Sequence, residues 1–164
     1  MKKLILMLMR CAPMSMFAQK FGKVNTQTII QAMPEVSKAN GEIEATAKQY
    51  ENDLKAMQDE LTRKSQDYDK AKSTMNATKQ KETETELQTM YQKIQQTYQD
   101  NQQALQKAQQ EKMQPIIAKV RAAIETVGRT GGYTYIFEDG AAVYTGSDVK
   151  DVTSEVQAQL NKTK

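Results

Sequence analysis

The chain contains no histidine, and its one cysteine, Cys11, lies close to the N-terminus. Nucleophile–base pairs and metal sites that depend on those two residue types therefore have little to build on. A phosphate-cradling glycine loop is missing as well. Gly131-Gly132 comes before a predicted strand instead of opening a helix, so it reads as a turn. Carboxylates are plentiful, but the pattern sets them on exposed helix faces without an evident pocket. These absences leave no catalytic residue, no metal ligand set and no cofactor to nominate, and an enzyme is not expected.

Proline is also scarce, with three residues in 164, and neither glycine nor proline occurs between Gly41 and Pro115. That gap favours uninterrupted helix. The hydrophobic share, 38%, is low for a packed globule. A polar chain of this kind is either disordered or a long coiled coil, and periodicity decides between the two.

Apolar runs are short. Met1 to Ala18 reads as a secretory signal peptide: Lys2 and Lys3 form a positive start, Leu4 to Met9 begin an apolar stretch, and Ala18 offers a small residue for cleavage. Arg10 interrupts the run and Met16 is bulky for its place. A spanning helix would need about 20 apolar residues. Arg10 directly before Cys11 is out of keeping with a lipid-modified cysteine. Cleavage after Ala18 removes the only thiol, and with it any disulfide.

Charge of one sign is lacking too. The whole chain has 23 basic and 20 acidic residues, but Lys2, Lys3 and Arg10 leave with the signal, so the exported chain balances at 20 against 20. Binding to nucleic acid through a basic surface loses its support, and no nucleic-acid partner is expected. What positive charge remains is local: Arg63, Lys64, Lys70, Lys72, Lys79 and Lys81 cluster, with Glu82, Glu84 and Glu86 immediately after.

What the chain does have is a heptad. Ile43, Ala47, Tyr50, Leu54, Met57, Leu61, Lys64, Tyr68, Ala71 and Met75 step by alternating four and three residues. The narrow stripe predicts a coiled-coil seam and not a helix lying on a globular core. A second stripe is read through Leu87, Tyr91, Ile94, Tyr98, Asn101, Leu105, Ala108 and Lys112, out of phase with the first. A reversal at Asn76 to Lys81 explains the slip and gives two antiparallel helices of about 50 Å each. Eleven glutamines between Gln88 and Gln114 make the outer faces polar but weakly charged.

The remainder differs in kind. Phe21 to Asn25 reads as a strand, followed by a helical turn carrying Ile29 and Ile30. After Pro115, Ile116, Ile117, Val120, Ile124 and Val127 form a wider apolar face, and Gly128 reads as a helix stop. Tyr133 to Phe137 and Ala141 to Thr145 read as strands of a hairpin turning at Glu138, Asp139 and Gly140. Val152, Val156 and Leu160 then lie at helical spacing. Three short strands leave open edges, which pairing between subunits would close.

The strand ending in Val24-Asn25, the step into Met33-Pro34-Glu35 and the long heptads resemble the Skp/OmpH family over essentially the whole exported chain. The closing block is the most specific part: Tyr135 to Asp139, Ala142 to Tyr144, then Ser147 to Thr153 and Val156. The resemblance implies a mostly α fold with a small β body, in which a long antiparallel coiled-coil hairpin projects from a β-containing trimerisation domain. Residues 1–18 would be the signal peptide, 19–33 and 116–164 the trimerisation body, and 34–115 the arm. It further implies a periplasmic, ATP-independent holdase chaperone, a homotrimer whose arms surround unfolded outer-membrane proteins.

A transient contact with the membrane surface is included among its expected partners. Met75, Met90, Lys70, Lys72, Lys79 and Lys81 are the candidate client contacts, with Met90 read as off the seam. Tyr133, Tyr135, Phe137, Val143 and Tyr144 are the candidate assembly residues. The competing reading is a structural scaffold or spacer of the cell envelope, for which the uneven seam is poorly suited.

Overall fold

A computed structural model describes residues 19–163 of the chain. The signal-peptide reading of Met1 to Ala18, including Cys11, lies outside the described residues. In chain order come β1 (Phe21–Val24), α1 (Thr26–Ala32), α2 (Pro34–Ala71), a 3-10 turn (Lys72–Thr74), α3 (Ala77–Gly131), β2 (Tyr135–Glu138), β3 (Lys150–Asp151) and α4 (Thr153–Lys162). They fall into two compact units: residues 27–120, and residues 19–26 with 121–163.

The first unit is a helical hairpin. Pro34 opens α2, where its missing N–H costs nothing because the first helical donors have no intrahelical partner. The antiparallel pairing is written in the ion pairs. Glu35 meets Lys119, Glu42 meets Lys112 and Lys64 meets Glu86, so numbers rise along one helix as they fall along the other. All ten positions of the first stripe, from Ile43 to Met75, are half-buried or buried, whereas Ala45 and Ala56 are exposed. That half of the heptad reading holds residue for residue.

The second stripe holds at six of its eight positions and fails at Tyr91 and Tyr98. Tyr91 and Tyr98 are 54% and 53% exposed. As far as Lys112, the inward positions of α3 are Gln80, Thr83, Leu87, Met90, Ile94, Thr97, Asn101, Ala104, Leu105, Ala108 and Lys112. Met90 is thus on the seam. Leu87, Ile94 and Asn101 fit either stripe, and the facing helix breaks the tie. With Tyr50, Leu54 and Met57 already filling a helix separation of about 8–10 Å, small Thr97 and Ala104 fit where tyrosines would not. A tyrosine hydroxyl also gains by staying wet.

The reversal comes earlier than Asn76 to Lys81. Helix α2 ends at Ala71, and Asn76 already caps α3, its Oδ1 accepting from the Lys79 N–H at 2.8 Å. The Gln80 amide donates to the carbonyls of Lys72 and Met75, both at 3.0 Å, and closes the turn. Helix α3 runs through Pro115 and on to Gly131, three residues beyond the Gly128 stop read from the sequence.

The second unit holds the sheet. Its order is β2-β1-β3, and both pairings are parallel: Phe21 aligns with Tyr135, Val24 with Glu138, and Gly22 with Lys150. This corrects the expected hairpin. A turn does form at Glu138 to Ala141, with Gly140 at φ +83°. The chain does not fold back there, because the Asp139 N–H is taken by the Val24 carbonyl at 2.8 Å. Ala141 to Thr145 form no strand, and the chain crosses to the far side of β1 to make β3. On α4, Val156 is fully buried and Leu160 nearly so; Val152, just before the helix, is fully buried too. The Asp151 carboxylate accepts from the Thr153 N–H at 2.9 Å, which holds the start of the helix.

Candidate functional site

Two surfaces carry the candidate residues, one in each unit. In the hairpin, the turn end brings Lys70, Lys72, Lys79 and Lys81 near one another in sequence, but not as a free cationic patch. Lys72 lies 3.5 Å from Glu84 and 5.3 Å from the Tyr68 ring centroid, and Lys79 lies 3.3 Å from Glu82. Among the described residues Lys70 and Lys81 have no ion-pair partner and are exposed. Tyr68 is buried, and its hydroxyl donates to Glu84. That bond, followed by Lys72, holds the Glu84 carboxyl below the ordinary carboxylate range. The same bond raises the Tyr68 phenol. The Lys72 ammonium is raised by Tyr68 first and by Glu84 after it.

Along the arm the cross-helix bonds act in the same direction. Hydrogen bonds from Lys112 and Lys64 depress the Glu42 and Glu86 carboxyls respectively. Met75 is half-buried at the turn, its N–H donating to the Lys72 carbonyl at 3.3 Å. Met90 lines a shallow recess of about 360 Å³ with Met57, Ala56 and Ile94, edged by Glu60 and Lys93. A second groove of about 440 Å³ lies on the other flank of Ile94, formed by Leu54, Tyr91 and Tyr98 with three glutamines. Reading Tyr91 and Tyr98 as seam hid this groove. Within the seam, Asn101 has a buried Nδ2 with no hydrogen-bond partner.

In the other unit, one face of the sheet is aromatic. Phe21, Tyr135 and Phe137 stack with ring centroids 5.8–6.4 Å apart, and Tyr135 and Phe137 remain 58% and 45% exposed. Because paired residues of parallel strands point to the same side, residue alternation puts all three rings together. Val143 and Tyr144 are more exposed still, on the crossing loop. Tyr133 is different. Its half-buried ring sits beneath Gly22 and Gly131, with the Lys20 ammonium 4.2 Å from its centroid. Lys23 bridges Asp139 at 3.0 Å, and that carboxylate raises the Lys23 ammonium above its ordinary value.

These surfaces offer apolar area, amides and paired charge. Among the described residues no group of three or more acidic side chains is placed to hold a metal ion.

Similarity to known proteins agrees with this anatomy. The family model described as Outer membrane protein (OmpH-like) matches residues 20–160. The "Chaperone protein Skp" of Yersinia enterocolitica is 26% identical over 149 residues, covering 91% of this chain and 90% of that protein. The protein of the same name from Pectobacterium atrosepticum is 24% identical over 143 residues, covering 87% and 86%. A crystal structure of an OmpH-like protein from Caulobacter crescentus CB15 superposes with a TM-score of 0.78 at 14% identity, covering 89% of this chain and 86% of that one. With the hairpin, the small parallel sheet and a family match from the first strand to the last helix, the chain belongs to the OmpH-like outer membrane protein family.

Proposed function

We propose that the chain is an ATP-independent holdase chaperone of the periplasm, exported by a cleaved signal peptide, that keeps unfolded outer-membrane proteins from aggregating. It performs no chemistry on its clients. The observation that carries this reading is the hairpin itself: a long two-helix arm with a thin seam that leaves apolar and amide groups along its flanks. Its curated relatives bear the name of a chaperone, which supports the same reading.

The working form is a homotrimer. Residues 19–33 and 116–164 serve as the assembly body and 34–115 as the arm, so that three arms surround a client. The open outer edges of β2 and β3 support assembly, since unpaired strand edges are costly to leave exposed. So does the aromatic face of Phe21, Tyr135 and Phe137, with Val143 and Tyr144 beside it. Met75, Met90 and the lysines Lys70, Lys72, Lys79 and Lys81 contribute client contacts near the turn, and the free ammonium groups allow a transient contact with a membrane surface. Each contact is weak, and several acting together hold the chain by raising effective concentration.

The test is dilution of a urea-unfolded outer-membrane barrel into buffer with the purified exported chain, followed by light scattering. Suppressed aggregation by a particle of three chain masses is the expected result. Unchanged aggregation rejects the chaperone, and a rigid two-stranded dimer with a single specific partner supports an envelope scaffold instead.

A further inference from the structure

Tyr91 and Tyr98 lie two helical turns apart on one flank of α3, and the groove between them and Leu54 contains no charged side chain. At roughly 100° per residue, Tyr91, Gln95 and Tyr98 turn to one side of Ile94, and Met90 and Lys93 to the other. The two flanks therefore differ in kind: the Met90 side carries Glu60 and Lys93, while the tyrosine side carries Gln58, Gln95 and Gln99. No charge occurs in α3 from Ile94 to Gln99.

We infer that this groove is a binding subsite for extended, uncharged polypeptide segments bearing aromatic or aliphatic side chains. The inference rests on the chaperone reading and specifies what the arm grips. Burying a charged segment against a neutral groove would strip its hydration without a compensating partner. A polyanion such as nucleic acid finds no cation here. An unfolded backbone, by contrast, carries N–H and C=O groups that lack partners, and each glutamine amide offers both donors and acceptors. The tyrosines supply flat apolar area with a hydroxyl that stays in water. Their separation along the helix, about 10.5 Å for seven residues, matches roughly three residues of extended chain, so one short segment crosses both rings.

The experiment compares the full exported chain with Tyr91→Ala/Tyr98→Ala and Tyr91→Phe/Tyr98→Phe variants. The probe is a fluorescein-labelled twelve-residue peptide that alternates phenylalanine or valine with serine or glutamine, read by anisotropy. A control peptide carries lysine at two of the apolar positions. Helicity and melting temperature should match across the three proteins, since both tyrosines are exposed. The alanine pair should bind the uncharged peptide at least about tenfold more weakly, and the phenylalanine pair within about threefold of the parent. The lysine peptide should bind the parent weakly.

The inference is overturned if the alanine pair binds within about twofold of the parent, or if both peptides bind alike. It is equally overturned if the alanine pair changes the particle mass, because the groove would then be covered by another copy of the chain. Suppression of barrel aggregation by the parent, measured alongside, separates the two readings. Suppression with no loss of peptide binding in the alanine pair sinks the groove alone. Groove-dependent peptide binding without suppression sinks the chaperone alone.

Discussion

Glu35 and Lys119 are 84 positions apart in sequence, yet their side chains meet at 2.8 Å. Further along the same arm Glu42 meets Lys112, Lys64 meets Glu86, and Tyr68 donates to Glu84. The Glu42–Lys112 and Lys64–Glu86 pairs are exposed, so each is weak alone and screened by salt, while the other two contacts are part-buried. Together they make the register of the hairpin sensitive to pH. Glu42, Glu84 and Glu86 all have depressed carboxyl values. A depressed value means the folded arm favours the ionised form, so its contribution is full above the ordinary carboxylate value near 4.5 and disappears as pH falls through the folded one. Melting temperature by circular dichroism should be flat from about pH 8 to 5 and drop below that. Glu84→Gln should flatten the drop.

Lys23 has the opposite sign. Asp139 raises its ammonium value, so the contact is fully present below the ordinary lysine value and is lost as pH rises through the raised one. Lys23→Met should remove an alkaline loss of stability and leave the acid limb unchanged, as followed by thermal melts between about pH 10 and 12.

Asn101 is the weak point of the seam. A buried amide nitrogen without a partner costs about 1–3 kcal/mol. Asn101→Leu should therefore raise stability by about 1 kcal/mol in urea unfolding. A drop in midpoint would mean that the amide is satisfied in solution.

Two glycines of the helices should respond oppositely to alanine. Gly41 has open space where a Cβ would go, so Gly41→Ala should stabilise α2 by about 0.5–1 kcal/mol. At Gly131 the added carbon would lie 2.5 Å from the Tyr133 ring. Gly131→Ala should cost about 1–3 kcal/mol, because that ring is already wedged against Gly22. Denaturant midpoints of the two variants give the answer directly.

The aromatic sheet face can be separated from the core below it. Val156 is completely buried, and Val156→Ala should cost about 1–3 kcal/mol in the unfolding midpoint. Tyr135→Ser with Phe137→Ser should leave the isolated chain folded and shift the particle mass towards a monomer, as read by native mass spectrometry. An unchanged mass would remove this face from the assembly surface.

Local pattern determined much of this protein. The stripe from Ile43 to Met75 specifies a coiled-coil helix because ten positions in strict three–four steps fit one face only. Gly131-Gly132 separates helix from strand, and Val152, Val156 and Leu160 specify the closing helix by spacing alone. A family resemblance concentrated in residues 135–156 was legible for the same reason, since it lives in short motifs. Tertiary structure decided the rest. Leu87, Ile94 and Asn101 are common to two possible seams, and only the bulk of the facing helix sends Tyr91 and Tyr98 outward and Met90 inward. Ala141 to Thr145 have strand composition, but strands exist only where a neighbour offers free backbone groups. Here β1 offers its two edges to Tyr135–Glu138 and Lys150–Asp151, both running parallel to it. The groove beside Tyr91 and Tyr98 is a product of that choice of seam, and no single-helix periodicity could have shown it.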